Sequence, residues 1–584
     1  MKRLLVLLLI VILALGVTAL PLAAQDAPQG TWLGTWPYAA PGTHNLSSFA
    51  SGGLDTNLGT VYRPIVELTP AYYLWASNEY VSMLASSWGF VDDNAAYEYT
   101  IQEGALWSDG APITSKDVVD TFAIGRILGW TIWNSLEGVE AVDEMTTRFI
   151  FKEGVASLSA ERLILKQSVS ASANYGDLAA QAAELAAAGK TKDDAEWQAL
   201  STAIGEYHPE TLIASGPYTY TLDDVGEAFM TLHWQPNSLY SGSVRFGDLK
   251  LWSGETEVTT PLVLSGELAH STNVYPPATI EAFAAEGIRL VTTPRGYGPA
   301  VLFNYQVEAF NDVNLRKAMA HAINRDQSAL LTNGLGAMGT VYFSGILDSL
   351  TPQLLSEEAI AGLDRYEYDL AKAEEYMAAA GYTRNADGKW ADAEGNLLSF
   401  EYTFPADFAD FSAMARDATA QLNDFGFDIT ERALPWQEAA QAIREGNYEL
   451  SVWSWGAGAP FAFNSMNSPI RRWNNPVLPA EQPGMSLPLQ FEWNGQQIDL
   501  NDLILNVSAG LDPAELTAKA DFVAEIINDT LFFIPLNEML SVEPVNEQSI
   551  GGAPADGDPI YANPSSDHFI IYLILNGTLF PAGS

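Results

Sequence analysis

The chain has 584 residues, too many for one hydrophobic core and enough for two to four globular units. Its 48% hydrophobic and 17% charged residues are an ordinary globular balance, which excludes a disordered or fibrous protein. Against 72 Asp+Glu stand 28 Lys+Arg, a net charge of −44 that repels phosphate backbones and anionic lipid, so no nucleic acid and no membrane surface is an expected partner.

At the N-terminus, Lys2 and Arg3 precede an apolar run from Leu4 to Leu20, followed by Pro21, Leu22, Ala23, Ala24 and Gln25. A basic start, an apolar core and small residues at the end predict a secretory signal peptide over 1–25, cleaved near Ala24 or Gln25. The run is close to the minimum for a spanning helix, so an uncleaved N-terminal anchor is the competing reading. The chain has no Cys, which excludes disulfides, thiolate metal sites, a Cys nucleophile and lipid attachment through an N-terminal Cys. The expected location is therefore secreted or extracytoplasmic, and not that of a lipoprotein.

Alternating Tyr97, Tyr99 and Ile101 predict a strand, Asp109-Gly110 a tight turn, and Thr114 with Asp117 the capped start of a helix through Phe122 and Ile127. The Ala-rich stretch Ala179 to Ile204, poor in large apolar residues, reads as one surface helix without a core role. From residue 311 onward helix and strand alternate. Asn311 and Asp312 can cap a helix carrying Leu315, Ala318, Met319, Ala322 and Ile323, and Asp369 one carrying Leu370, Ala373, Met377 and Ala380 before Gly381. The helical spacing returns from Ser412 to Gly426 and from Trp436 to Gly446, each followed by strand alternation, at Phe427 and Ile429 and at Tyr448, Leu450 and Val452. Such succession argues an α/β lobe with a mainly parallel sheet.

The search for chemistry returns no catalytic set. The six histidines are scattered, with no two at ligand spacing, and neither HExxH nor GxSxG occurs. Gly334-Leu335-Gly336-Ala337-Met338-Gly339 fits GxGxxG literally, but it follows a helix, so it reads as a loop after a helix end and not as a dinucleotide site. No cofactor and no metal are expected.

An ordered set of landmarks resembles the family 5 extracellular solute-binding proteins, which include oligopeptide, dipeptide, nickel and oligosaccharide receptors. Tyr97 to Val118, with Trp107-Ser108-Asp109-Gly110 and Asp117-Val118, is similar to the family's YTFTLRKGVKWSDGKPLTAEDV; Ser215-Gly216-Pro217-Tyr218 looks like its TGPY strand. Phe303-Asn304-Tyr305, Phe310-Asn311-Asp312, Leu315-Arg316-Lys317-Ala318 and Ala322-Ile323-Asn324-Arg325 follow in the family's order. So do Tyr368-Asp369, Ala380-Gly381-Tyr382, Gly446-Asn447-Tyr448 leading to Trp453 and Trp455, and Ile534-Pro535-Leu536.

The resemblance implies a two-lobed, hinge-linked α/β fold of the periplasmic-binding-protein type with an extra subdomain. Mapped on this chain, the first lobe is expected at about 26–58, 212–293 and 537–584, the extra subdomain at 59–211 and the second lobe at 294–536. It further implies the substrate-binding component of an ABC importer, a monomer, not an enzyme, that captures an oligosaccharide or oligopeptide and passes it to the ABC permease subunits.

In peptide receptors of the family, an Asp just after the Trp strand holds the ligand's α-ammonium, but Trp455-Gly456-Ala457-Gly458-Ala459-Pro460-Phe461 carries no acid here. Trp453 and Trp455 share one face at the carboxyl end of their strand, where open α/β sheets place ligands. Around them stand Phe461, Phe463, Asn464, Asn467, Trp473, Asn474 and Asn475, with Trp32, Trp36 and Tyr38 expected from the other lobe; the expected ligand-binding residues are Trp453, Trp455, Asn304, Trp36, Tyr38, Asn464 and Trp473. Flat aromatic surface with carboxamides suits sugar rings, as do the 16 Trp of the chain, so sugar is slightly favoured over peptide. Trp107 reads as structural. The alternatives are a secreted carbohydrate-active enzyme, which needs two carboxylates about 5–10 Å apart across a cleft, and a receptor for nickel or haem complexes.

Overall fold

A computed structural model of the chain describes residues 27–36, 44–50, 52–474, 477–479 and 481–583. The expected signal segment, Tyr38 and Asn475 lie outside the described residues. No described helix is long and apolar enough to cross a membrane.

The first lobe is built on a four-stranded sheet in the order Thr31–Thr35, Asp248–Trp252, Phe229–Trp234, Tyr218–Thr219. Its first pair is parallel and the others antiparallel. Trp32 is fully buried in this layer, where its Nε1–H donates to the Tyr62 hydroxyl at 3.0 Å and its ring meets Phe246 edge-on.

A second, antiparallel sheet runs Ala85–Val91, Ala96–Ile101, Thr146–Phe151, Leu136–Ala141. The predicted alternation holds: Tyr97, Tyr99 and Ile101 all point into the core. So does the predicted helix start, because Thr114 and Asp117 form a reciprocal capping box on Ser115–Ile127. Trp107 is buried in the same core.

The stretch 179–204 departs from the single surface helix expected. It contributes to two helices, Ser172–Ala187 and Ala195–Gly205, separated by a turn in which Gly189 takes φ +69°. Tyr175, Ala179, Ala182, Trp197, Leu200 and Ile204 pack on Ile124 and Ile127 as a small core of their own. Small Ala side chains allow the close helix approach that lets a few large residues close that core.

The second lobe carries a five-stranded sheet in the order Asp428–Leu434, Ser399–Pro405, Leu450–Trp455, Gly298–Phe303, Phe533–Pro535. The first three are mutually parallel, as the helix–strand alternation predicts. Gly298–Phe303 runs antiparallel to both neighbours, so the sheet is mixed. This strand enters directly from the other lobe and not through a crossover helix, and local periodicity carries no record of that direction. The helices over 313–322, 370–379, 409–424 and 436–444 appear where their spacing predicts them, with Asp312 and Asp369 as caps.

Two antiparallel strands, Arg289–Pro294 and Asn537–Val545, join the lobes side by side, with Ala337–Gly339 on the far edge of the second. One of these strands is followed, after Pro294, by Gly298–Phe303, and the other is preceded by Phe533–Pro535, both in the five-stranded sheet. At this passage Gly298 meets the other strand closely: a Cβ there would stand 1.8 Å from the Asn537 carbonyl oxygen.

Candidate functional site: the cleft between the lobes

The site is built from the loop that follows Leu450–Trp455. Trp455 is fully buried, its Nε1–H donating to the Asn537 carbonyl at 2.9 Å and its ring tilted against Phe533. It thus ties the central strand of the second lobe to the strand that leads back to the first. Beyond it, Gly458 sits against Gly296, where a Cβ would come within 2.6 Å of the Gly458 Cα, and its carbonyl accepts the Ser566 hydroxyl at 3.2 Å. At the outer edge the Leu158 N–H donates to the Gly510 carbonyl at 3.3 Å. Tyr73 and Trp75, on the first-lobe side, belong to the apolar cluster of the second lobe. The lobes are therefore in contact over the loop.

Three cavities lie between them. One of about 270 Å³ has Tyr73, Asn78, Tyr80 and Glu161 on one wall and Phe461 and Ser508 on the other. A small one of about 50 Å³ shares Gln353 with it and reaches Trp75, Gly296 and Gly458. A third, of about 330 Å³, opens beside the two connecting strands between Tyr275, Tyr297, Asn333 and Asp410. Aromatic rings with scattered hydrogen-bonding groups are the composition of a small-molecule site.

The polar groups around this cleft are tied down by a buried ion network. Asp567, fully buried, accepts from Arg162 Nη2 at 2.6 Å, from Lys166 Nζ and from Trp75 Nε1 at 2.9 Å. Burial opposes its ionisation, but Lys166 and Arg162 outweigh that and hold it below the usual carboxylate range. Arg162 also lies over the Tyr73 ring at 4.7 Å, so the network positions a cleft aromatic. Two acids beside the connecting strands behave oppositely. Burial pushes Glu538, which accepts from the Ser349 N–H at 3.0 Å, up to about 7, and Asp348 up to about 6.

One group escaped the sequence reading. His270, Glu543 and His568, which are far apart in the chain, meet in the first lobe, all buried, with donor atoms within 4.8 Å of one another. The triad has metal-ligand composition. However, His568 Nδ1 accepts the Ile570 N–H at 3.4 Å, which leaves its proton on Nε2, the nitrogen that faces Glu543 at 3.2 Å. His270 Nε2 lies 2.6 Å from the same carboxylate. The arrangement is that of two imidazole N–H groups donating to one carboxylate, with His270 Nδ1 left without a hydrogen-bond partner among the described residues.

The residues expected to line the site are distributed differently. Trp453 and Trp473 are buried and packed edge-on at 5.4 Å inside the second lobe. With Trp455 they lie beneath the cleft and not on its walls, because the central strand is covered on both faces. Asn304 is also buried, its carboxamide donating to the Gly446 and Tyr448 carbonyls. Trp36 is half-buried, with its ring over Gly59.

The Asn-rich stretch serves its own chain in part: Asn467 accepts from Arg471, and Asn474 donates to the Leu487 carbonyl. Asn464 and Phe463 are half-buried on Ala462–Ile470. Phe461 is the expected aromatic that reaches a cavity wall. Missed were Tyr73, Trp75 and Tyr80, whose signal was the aromatic density of Tyr72-Tyr73-Leu74-Trp75 and Tyr80.

Comparison with known proteins agrees with this geometry. A solved Thermotoga maritima periplasmic oligopeptide-binding protein superposes with a TM-score of 0.75 at 17% identity, covering 94% of this chain and 98% of that one. A mannohexaose-bound structure of a Thermotoga maritima protein gives a TM-score of 0.68 at 17% identity over 96% and 100%. NikA of Brucella suis, in complex with Fe(III)-EDTA, gives 0.68 at 17% identity over 92% and 99%. These likenesses fix the fold as that of two-lobed periplasmic binding proteins.

Among curated relatives, a Brucella ovis protein named for peptide binding in an ABC transporter is 26% identical over 379 residues, 62% of this chain. The match spans 63% of that relative's length. The peptidoglycan-binding protein YepA of Agrobacterium fabrum is 23% identical over 497 residues, 74% of this chain and 77% of the relative. Residues 79–474 match the family described as bacterial extracellular solute-binding proteins, family 5 Middle. The chain belongs to the family 5 bacterial extracellular solute-binding proteins.

Proposed function

We propose that this protein is the extracytoplasmic substrate-binding component of an ABC importer, exported from the cytoplasm, which traps an oligosaccharide or oligopeptide between its lobes and releases it unchanged to the permease. The observation that carries this reading is the inter-lobe cleft, walled by Tyr73, Tyr80 and Phe461 and crossed by two connecting strands. Paired strands of this kind permit hinge closure around a ligand. The lobe boundaries expected from the sequence, at 26–58, 59–211, 212–293, 294–536 and 537–584, are part of the proposal.

Sugar is favoured over peptide. Rings of Tyr80 and Phe461 offer stacking faces, while Asn78, Gln353 and Ser508 offer donors and acceptors to hydroxyls. The loop Gly456–Phe461 carries no acid to hold a peptide ammonium. A structural neighbour holding mannohexaose supports the same choice; the peptide names of several relatives support the alternative. A glycosidase would require a second carboxylate opposite Glu161 on the 270 Å³ cavity, and the described residues lining it include no other acid.

Thermal-shift measurements against mannohexaose, cello-oligosaccharides and tri- to pentapeptides test the reading, since selective binding raises the melting temperature. Stabilisation by an oligosaccharide without product formation is expected. Cleavage of the sugar would overturn the receptor assignment, and a response confined to peptides would reverse the substrate preference alone.

A further inference from the structure

Glu161 stands in the first turn of the helix Leu158–Leu165, on the wall of the 270 Å³ cavity. One carboxylate oxygen, Oε1, accepts the Tyr97 hydroxyl at 2.8 Å. The other makes no hydrogen bond, and Glu161 forms no ion pair, among the described residues. Its neighbours Arg162 and Lys166 are turned to Asp567. Among the described residues lining this cavity, Glu161 is also the only acidic or basic side chain.

A half-buried carboxylate whose second oxygen faces an aromatic cavity is partly desolvated, and only water meets that oxygen. Burial does raise its pKa above the usual carboxylate value, with the Tyr97 hydrogen bond opposing. The helix start favours the ionised form. A ligand that donates to the open oxygen would take the place of that water.

Resting on the receptor reading, we propose that Glu161 is the polar anchor of the cargo: an acceptor that selects ligands presenting a donor group, hydroxylic or ammonium, and rejects ligands whose matching end is anionic. The acid missing after Trp455 is thereby replaced from the opposite lobe. The half-buried ring of Tyr80 lines the same cavity and gives the anchor a stacking platform.

Calorimetric titration of the full chain and its isosteric Glu161→Gln variant with mannohexaose, tetra-alanine and N-acetyl-tetra-alanine tests this. Wild type is expected to bind at least one of the first two, and Glu161→Gln to bind that probe at least tenfold more weakly with an unchanged melting curve. Loss on N-acetylation identifies an ammonium as the donor; mannohexaose binding identifies hydroxyls. Wild-type affinity should also fall as the pH is lowered through the carboxylate range, while the variant stays flat. The other groups facing Glu161, namely Tyr73, Tyr80 and Tyr97, are pushed to high pKa by burial and do not titrate in that window. Equal affinity of both proteins, within twofold, would overturn the anchor while leaving the receptor standing. Binding of neither probe by wild type would overturn the receptor reading and the anchor with it.

Discussion

His270 Nε2 and Glu543 Oε2 stand 2.6 Å apart, both fully shielded from water, and join a first-lobe loop to one of the two strands that connect the lobes. Burial opposes ionisation of Glu543, but the facing imidazoles of His568 and His270 win and hold it far below the usual carboxylate range. Burial also lowers the pKa of His270, against the pull of Glu543.

Both depressed values act in one direction. In the unfolded chain His270 takes up a proton below about pH 6.5 and Glu543 below about pH 4.3, whereas the fold resists both. The stabilisation is complete above those values and is lost as the pH falls. Glu543→Gln leaves one imidazole N–H unpaired and is expected to cost about 3 kcal/mol at pH 7.5. Urea unfolding of both proteins at pH 7.5 and pH 4 checks this, with a narrower gap at pH 4. A gap that does not change with pH would remove the triad as its source.

Glu538 has the opposite sign. Its carboxyl, raised to about 7, is preferred protonated in the fold, so stability is highest below the unfolded carboxyl's range and falls as the pH rises to about 7, above which the cost is complete. A shift of this size corresponds to about 3 kcal/mol at alkaline pH. Glu538→Gln keeps an acceptor for the Ser349 N–H and is expected to raise the melting temperature at pH 8.5 and leave it nearly unchanged at pH 4, below the unfolded carboxyl's range. No gain at pH 8.5 would show that the carboxylate is solvated when charged.

Trp455→Ala is expected to cost about 3–5 kcal/mol, by the cavity it leaves and the unpaired Asn537 carbonyl. Trp455→Phe keeps most of the volume and should cost about 1–2 kcal/mol. Because Trp455 lies under the cleft floor, the Phe variant should retain ligand affinity within a few-fold. Denaturation and calorimetry together separate the two effects, and a large affinity loss without a stability loss would place the indole against the ligand.

Gly296→Ala tests closure. Gly296 has φ +79°, and an added Cβ would meet the Gly458 Cα at 2.6 Å, across the contact between the lobes. The variant should therefore favour separated lobes, with a larger radius of gyration in solution scattering and ligand affinity reduced about tenfold. Identical scattering with and without the substitution would show that the loop yields.

Much of the fold was legible because its signals are local. The Thr114–Asp117 box, the Asp312 and Asp369 caps and the alternation at Tyr97, Tyr99 and Ile101 each report on a few neighbouring residues, and all form as read. The direction of Gly298–Phe303 was not legible, since it depends on the passage between lobes. The site was harder for the same reason. Trp453 and Trp455 alternate as a strand should, but whether a strand face meets ligand or core depends on elements far away in sequence. Likewise His270, Glu543 and His568 have no spacing pattern, and Tyr73, Tyr80 and Glu161 share a wall only after the subdomain has folded.

The helix Phe569–Leu575 carries Ile570, Ile571 and Ile574 into the core that also holds Trp32 and Leu58. The first lobe therefore lacks part of its interior until residue 575 has left the ribosome, whereas the second-lobe sheet is complete by Pro535. Every strand of the second-lobe sheet is therefore synthesised before the first-lobe core has all of its residues. Trp32 and Leu58 stay without these partners until translation is nearly complete.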